Sequence, residues 1–469
     1  MNASALVHAH TARARRATAT LLATALLAAP GVARAQERAA GTADTTSHIA
    51  LSLGDAARLA ARRSAGPEAA RYVAAQASAR VRQERADLFP SFSALLDEGQ
   101  RTFNTATFGF DIPPAPGQQP LFDPNGEVLG PVHIVDARAR VSQTIFDFST
   151  LERVRSARAG ARAGDAAAIA AAEAAASDAA LAYVRVQQAA ATLQARQADS
   201  LLADSLVMIA REQLQAGVGV ALDVTRAQSQ AASVHAQLIA ARSDVARSRL
   251  TLLRVLGLPL DADVQLTDSL GAPSGVAVPA EQAALDTALA GRADLRALSA
   301  QRDAAASAVT AVRAERLPRL GLTADAGGIG TGYDNLLRTY TWGLEVSVPI
   351  FDGLRRSART EEQQARVNEL DVRLHDLERQ VAVDVRTALL DLDAAQEQVD
   401  AARERLRLAE QELAQANERF RAGVAGNADV ITASLALNDS RTLLVDALTS
   451  YRQAEIELAR AQGTVEELP

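Results

Sequence analysis

The chain has 469 residues and carries 56 acidic against 49 basic residues, for a formal net charge of −7. An acidic chain is a poor ligand for nucleic acid, because phosphate contacts need a positive surface. The sequence contains no cysteine, which excludes disulfides, thiolate metal sites and a cysteine nucleophile.

The first 35 residues have the pattern of a secretory signal peptide. Three arginines between positions 13 and 16 form a basic start, residues 17–29 are apolar, and Ala33-Arg34-Ala35 is a small-x-small cleavage site. The apolar stretch is shorter than the ~20 residues that a membrane-spanning helix needs. We therefore expect export and a mature chain that begins at Gln36. Because four basic residues are removed, its net charge would be −11 (45 − 56).

Residues 36–260 are predicted to form a first structural repeat, made of a helix, two strands and a long helical hairpin. The strands cover about 90–102 and 132–146, where apolar and polar residues alternate. The stretch 103–131 between them is rich in proline and glycine and predicts an enlarged loop. The hairpin covers about 149–256.

The helices of this hairpin are predicted to be unusually long. The segment 151–216 contains no proline, so at ~1.5 Å per residue it could run about 100 Å. Gly217 follows it and accepts the positive φ of a helix end, which predicts the turn. Seven positions then recur at steps of four and three, a spacing typical of a coiled-coil seam. They are Val234, Leu238, Ala241, Val245, Ser248, Leu252 and Val255.

The junction between strand and long helix occurs twice. Val141–Asp147 reads Val-Ser-Gln-Thr-Ile-Phe-Asp, and 205 positions later (346 − 141) Val346–Asp352 reads Val-Ser-Val-Pro-Ile-Phe-Asp. In both places a strand pattern precedes the motif and a helical pattern follows it. The recurrence indicates an internal two-fold repeat.

Residues 261–469 are accordingly predicted to form the second structural repeat. Its strands cover about 318–328 and 338–350, and its helical hairpin covers about 354–462. The hairpin is expected to turn at Gly423, which matches Gly217 of the first copy.

The strands carry one apolar face each. On the last strand the apolar row, expected to face lipid, is Tyr340, Trp342, Leu344 and Val346. Alternation over ~10 residues is typical of outer-membrane barrels, although an antiparallel sheet on a soluble core is an alternative. Four strands cannot close a barrel, and an open edge in hydrocarbon costs several kcal/mol per unpaired backbone group. A barrel would therefore be shared, and two, three or four chains would all close it.

The chain resembles the TolC-type outer-membrane efflux protein family over essentially all of its mature length. The resemblance is carried by motifs that occur in both copies, together with one motif near the start of the second copy. In that motif the family usually has proline where Ala293 stands. The motifs in both copies are the two strand-to-helix junctions, the strand entries Phe89-Pro90 and Leu317-Pro318, and the hairpin turns Ala216-Gly217-Val218 and Ala422-Gly423-Val424 with the Asp-Val pair that follows each turn. The single motif is Gly291–Leu295.

The resemblance implies a mainly α fold with a β-barrel part. Three chains would form a homotrimer whose four strands per chain make a 12-stranded outer-membrane β-barrel. The coiled-coil hairpins would form a 12-helix periplasmic α-barrel. The implied function is the exit duct of a tripartite efflux or type I secretion system. It would conduct substrates passively from a periplasmic adaptor protein and an inner-membrane pump or ABC transporter. No cofactor and no metal are implied.

The resemblance also assigns the gate at the periplasmic end of the duct. Asp429 matches an aspartate that forms a ring in the trimer. At two other gate positions this chain differs from the family: Thr432 replaces a second ring aspartate, and Phe420 replaces a tyrosine. Asp223 matches an aspartate that in the family pairs with an arginine of the second copy, and in this chain Ala425 occupies the position of that arginine. The residues implied to contact the adaptor are those of the two turns, Gly217, Val218, Gly423 and Val424.

The sequence carries no enzyme signature. Its six histidines never fall at metal-ligand spacing, and the glycine-rich run 327–332 lies between two strands rather than before a helix. Carboxylates on the helices alternate with arginines and are expected on solvated faces.

Two further functions are alternatives. A self-standing porin would not need helices of ~100 Å. A soluble periplasmic coiled-coil structural or adaptor protein would not need a lipid-facing sheet, and an adaptor would need a lipoyl-like β domain that the sequence does not show.

Overall fold

Long helices dominate the part of the chain that the computed structural model describes, namely residues 49–108, 117, 123, 125–271, 278–422, 424 and 426–469. The predicted signal peptide, Gly423 and Ala425 lie outside these residues. Helices α1 to α8 cover Leu53–Arg63, Ala65–Ala86, Phe148–Gln215, Ala221–Leu256, Glu281–Gly291, Ala293–Ala314, Arg355–Arg421 and Asn427–Gln462.

Two pairs of long helices form the hairpins. The first hairpin is α3 with α4 and the second is α7 with α8, and their outer limits, 148–256 and 355–462, lie close to the expected ones. All seven positions of the seam predicted on α4 are buried or half-buried. On α8, three residues spaced by multiples of seven are likewise inside: Val430, Leu437 and Tyr451 are each less than 5% exposed. The two helices of each hairpin therefore pack against one another along these positions.

Helices at matching places in the two halves have nearly equal lengths. Helices α1 and α5 have 11 residues each, α2 and α6 have 22, and α4 and α8 have 36. Helices α3 and α7 have 68 and 67. The single helix expected before the first strand is in fact two helices, because Ser64 between them has extended backbone.

Four strands form an antiparallel sheet in the order β2-β3-β5-β6. They cover Ser91–Asn104, Val128–Asp147, Arg319–Gly330 and Leu337–Ser347. The last strand ends at Ser347, so the expectation that it reaches residue 350 is wrong. Pro349 has no N–H to donate to a ladder. Gly353 and Leu354 then both adopt a φ of +66° and turn the chain into α7.

A second, smaller sheet lies beside the middle of α3 and was not expected. Its two strands, β1 (Ile49–Leu51) and β4 (Val264–Leu266), are parallel. Tyr183 of α3 is buried against them, and its single O–H is shared between the carbonyl oxygen of Leu51 at 2.9 Å and a carboxylate oxygen of Asp268 at 3.1 Å. Burial raises the pKa of Tyr183 to about 12, so the hydroxyl stays a donor at neutral pH.

Candidate functional site

The large sheet presents an apolar face that is interrupted on β3 by Gln143, which pairs with Leu322. Residues that pair directly across strands share a face, so the register identifies the row. On β6 the row is Tyr340, Trp342, Leu344 and Val346, all more than half exposed. Their partners on β5 are Ala326, Ala324, Leu322 and Leu320. The row continues with Ala139 and Val141 of β3, opposite Ala94 and Phe92 of β2.

A bulge changes the face pattern at the end of β3. Simple alternation places Ile145 on the apolar face, but the register shifts between Thr144 and Phe146. Phe146, not Ile145, is therefore paired with Leu320 and completes the apolar row. An extra residue in one strand breaks the period of two, and alternation read from sequence does not reveal it.

The opposite face of the sheet is polar. Arg138 lies there between two carboxylates, with its Nε 2.8 Å from Asp136 and its Nη1 2.8 Å from Asp325. Gly327 pairs with Arg138, and a Cβ at Gly327 would lie only 2.5 Å from the Arg138 Cβ. The glycine thus leaves room for the arginine. Glu345 lies on this polar face as well, opposite Gly321.

The far end of each hairpin carries an exposed valine. Gly217 follows α3 with a φ of +74°, and Val218 next to it is 79% exposed. In the second hairpin, Val424 is 68% exposed. Both helices that return from the turns start without a side-chain cap, after Val220 and after Gly426.

The two aspartates assigned to the gate lie in the first turns of the returning helices. Each is the third residue of its helix, Asp223 in α4 and Asp429 in α8. Asp429 is exposed, and its side chain makes no hydrogen bond to the described residues. Thr432 is exposed one turn later on the same side. Asp223 is half-buried, 3.9 Å from Arg226.

Phe420 does not join this polar group. It is 6% exposed and packs in an apolar cluster with Leu206 of the first hairpin and Leu413 and Val430 of the second. A phenylalanine has no hydroxyl to donate, so it stabilises the contact between the hairpins by burial alone.

Two buried polar residues at the same contact were not singled out from the sequence. Asn427 is 1% exposed and its amide donates to the backbone carbonyl of Asp223 at 3.1 Å. Asp199 has no exposed side-chain surface, which contradicts the expectation that helical carboxylates are solvated. It pairs with Arg196 one turn earlier on α3 and with Arg441 of α8, which lies 242 positions away, so the contact that joins it to α8 has no local pattern.

The model of the family described as outer membrane efflux protein matches residues 67–258 and 284–464. Among curated proteins, the chain is 28% identical over 232 residues to the outer membrane efflux protein BepC of Brucella suis, which covers 48% of this chain and 49% of BepC. It is 26% identical over 227 residues to the alkaline protease secretion protein AprF of Pseudomonas aeruginosa, or 47% of each chain. The chain thus matches about half the length of these relatives.

Solved structures have the same fold over a larger share of the chain. The outer membrane protein VceC of Vibrio cholerae superposes with a TM-score of 0.71 at 20% identity, covering 88% of this chain and 96% of VceC. The outer-membrane channel OprN gives a TM-score of 0.72 at 17% identity, covering 88% and 90%. Because the family model matches well over half of its residues, the chain belongs to the outer membrane efflux protein family.

Proposed function

We propose that the protein is the outer-membrane exit duct of a tripartite efflux or type I secretion system. The observation that carries the proposal is a four-stranded sheet with one apolar and one polar face, joined directly to helical hairpins of 67 and 68 residues in their longer arms. A sheet in lipid turns its apolar face outward and its polar face toward a lumen. The hairpins then extend the lumen into the periplasm.

The sheet edges support a shared barrel. Strands β2 and β6 are the edges of the sheet in a single chain, and in lipid each edge needs a partner. If β6 of one copy pairs with β2 of the next, three copies give 12 strands. Two, three or four chains would all close a barrel, and we propose three because the family forms trimers. We also propose that the nearly equal helix lengths of the two halves reflect an internal duplication.

An exposed apolar row on α7 supports contact between copies in the helical part as well. Val372, Val383, Leu390 and Leu408 are separated by 11, 7 and 18 residues, which places them on one side of a helix with 3.6 residues per turn. Each is at least half exposed in the single chain. Packing of a neighbouring copy against this row would stabilise the contact by ~25 cal/mol for each Å² of apolar surface that is buried.

The periplasmic end would hold the gate and the adaptor contact. Three copies of Asp429 would form a ring, with Thr432 beside it, and Phe420 would act through packing. Exposed apolar residues at the turns, Val218 and Val424, would meet the adaptor. The names of BepC and AprF, an efflux and a secretion protein, support an adaptor and an inner-membrane pump or ABC transporter as partners.

Fractionation of the source cells followed by channel recording tests the proposal. We expect the protein in outer membranes, and we expect the purified protein to conduct ions across a planar lipid bilayer. Release with the soluble periplasmic fraction would favour the structural or adaptor alternative. Membrane protein without conductance would reject the duct.

A further inference from the structure

The segment that joins β6 to α7 exposes large apolar side chains in the single chain. Ile350 is 93% exposed, Phe351 78% and Leu354 67%. Leu354 also has a φ of +66°, and among the residues that the structure describes it is the only one other than glycine with a positive φ. A left-handed backbone is strained for a residue with a Cβ. A strained position that holds an apolar side chain in water points to a partner that covers it.

The corresponding junction of the first half is built differently. At the offset of 205 positions that separates the two Val-Ser-x-x-Ile-Phe-Asp motifs, Leu354 and Arg355 stand where the first half has Ser149 and Thr150. Those two residues are buried, and their hydroxyls donate to Asp147 at 2.7 and 2.9 Å. A strand-to-helix junction of this fold therefore forms without an exposed leucine and an exposed arginine at these two places.

The repeat also indicates the side of the sheet on which the segment lies. Phe146 of the first half pairs with Leu320 and completes the apolar row. Phe351 is its counterpart 205 positions later. Val348 continues the alternation of the β6 row beyond Val346, and it is exposed as well. Both relations favour a place on the apolar side of the sheet, at the level where the strands end and the helices begin.

The surroundings of this segment are positively charged, although the chain as a whole has a net charge of −7. Residues 315–319 and 348–360 together contain five arginines and two carboxylates, a balance of +3 (5 − 2). Both carboxylates, Asp352 and Glu315, are paired with arginines of the same two stretches, at 2.6 and 2.7 Å. The excess of positive charge is therefore left for a partner from outside the chain.

Two arginines at the start of α7 have no carboxylate beside them. Arg355 is exposed and makes no hydrogen bond or ion pair to the described residues. Arg316 is also exposed, and its Nη2 lies 3.4 Å from the neutral hydroxyl of Ser357. At a boundary between lipid and water, an arginine can lay its apolar stem along acyl chains and bind a phosphate with its guanidinium group. An exposed apolar segment beside such arginines fits a lipid with an anionic headgroup.

We infer that residues 348–355, together with Arg316, form a binding site for an anionic phospholipid of the membrane leaflet that faces the periplasm. The acyl chains lie against Phe351 and Leu354, and the phosphate binds Arg355 and Arg316. This inference rests on the proposed function in one respect, because the sheet must lie in lipid. Contact with the lipid removes the side chain of Leu354 from water, which offsets the strain of its backbone.

The test measures the fluorescence of one tryptophan in the protein reconstituted in phosphatidylcholine vesicles. Trp342 is the only tryptophan of the chain, so Trp342→Phe combined with Phe351→Trp places a single probe in the segment. Phospholipids with brominated acyl chains quench tryptophan on contact. Brominated phosphatidylglycerol and brominated phosphatidylcholine are compared at equal mole fractions. We expect phosphatidylglycerol to be preferred about fivefold, which corresponds to ~1 kcal/mol for an arginine near an anionic surface.

Arg355→Gln in the same background should reduce the preference for phosphatidylglycerol to nearly one. The matched control is Arg405→Gln, because Arg405 is likewise exposed on α7 but lies 50 positions later (405 − 355), or ~75 Å along the helix. It should leave the preference unchanged. Equal losses in the two variants would overturn the inference.

Leu354→Gly separates lipid contact from the stability of the fold. Glycine accepts a positive φ without strain, so this variant should keep or raise the melting temperature of the protein in detergent. It should also reduce the rise in melting temperature that added phosphatidylglycerol causes, because the apolar contact is lost. A full rise in the variant would show that Leu354 does not contact the lipid and would contradict the site.

The same readout distinguishes this inference from the proposed function, because it does not need conductance. Quenching of Trp342 in the wild type without quenching of the probe at position 351 would show that the segment faces water or a neighbouring copy. That result would overturn the inference and leave the sheet in lipid. A wild-type protein that shows no channel activity, while the probe reports the preference for phosphatidylglycerol, would reject the duct and retain the lipid site.

Discussion

Asp429 is the residue on which the proposed gate depends, and its surroundings decide between two roles. An aspartate in the first turn of a helix can act as a cap. Here the cap position is Gly426, no side chain caps the helix, and Asp429 is exposed. Its carboxylate therefore has no hydrogen-bond partner among the described residues, as the proposed gate requires.

We predict that Asp429→Asn removes block by trivalent cations and weakens cation selectivity without affecting trimer assembly. Three carboxylates ~8 Å apart repel by about 2 kcal/mol per pair at an effective dielectric constant near 20, and a multivalent cation relieves that repulsion. Single-channel recording with trivalent ions on the periplasmic side measures the effect. The matched variant Asp223→Asn should change the block less. Unchanged selectivity in Asp429→Asn would end the gate assignment.

Leu344 and Glu345 test the two faces of the sheet, since they are neighbours on β6 with opposite orientations. An arginine on the lipid face costs ~2–4 kcal/mol at the bilayer midplane. We expect Leu344→Arg to abolish the assembled trimer and Glu345→Arg to leave it intact, as judged by the mass of the detergent-solubilised protein. Equal losses would show that the apolar face is not in lipid.

Residue roles that depend on distant partners were not predictable. Asp199 follows the same local pattern as the solvated carboxylates of its helix, and only packing against α8 buries it. Asn427 likewise depends on the position of the first hairpin's turn. By contrast, the exposure of Asp429 agrees with the expectation that carboxylates on the helices lie on solvated faces.

At the scale of elements, the helices were predicted more closely than the strands. Periodicity and the glycine turns are local signals, and they placed the hairpin limits within one residue. The last strand was predicted too long because Pro349 and the two left-handed residues after it break a run that still alternates in sequence. The strands β1 and β4 have three residues each and pair across the chain, so they leave no pattern.

The strand-to-helix junction of the second half gives a prediction of pH dependence. Arg356 donates to Asp352 from its side chain at 2.6 Å and from its backbone at 3.1 Å. The guanidinium of Arg356 holds the pKa of Asp352 below its usual value of 3.8. A lowered pKa means that the carboxylate stabilises the folded state above pH 3.8, and that this contribution is lost as the pH falls through the lower, folded value.

Asp352→Asn should therefore lower the melting temperature at neutral pH, and its difference from the wild type should shrink below pH 3.8. Thermal unfolding across a pH series measures this. The control is Asp376→Asn on α7, which removes an ion pair that is about three-quarters exposed and should change stability little. A constant difference down to strong acid would contradict the role of the Asp352 charge.

For the molecule as a whole, export is the first requirement of an outer-membrane duct. We predict that the protein recovered from membranes begins at Gln36. N-terminal sequencing checks this, and retention of residues 1–35 would contradict the signal peptide.

The central claim is that several copies of this chain share one barrel, because the two edges of the sheet cannot stay unpaired in lipid. The mass of the conducting particle in mild detergent tests it most directly. We predict three chains per particle, with 12 strands from three four-stranded sheets. A monomer or dimer that retains channel activity would contradict the account.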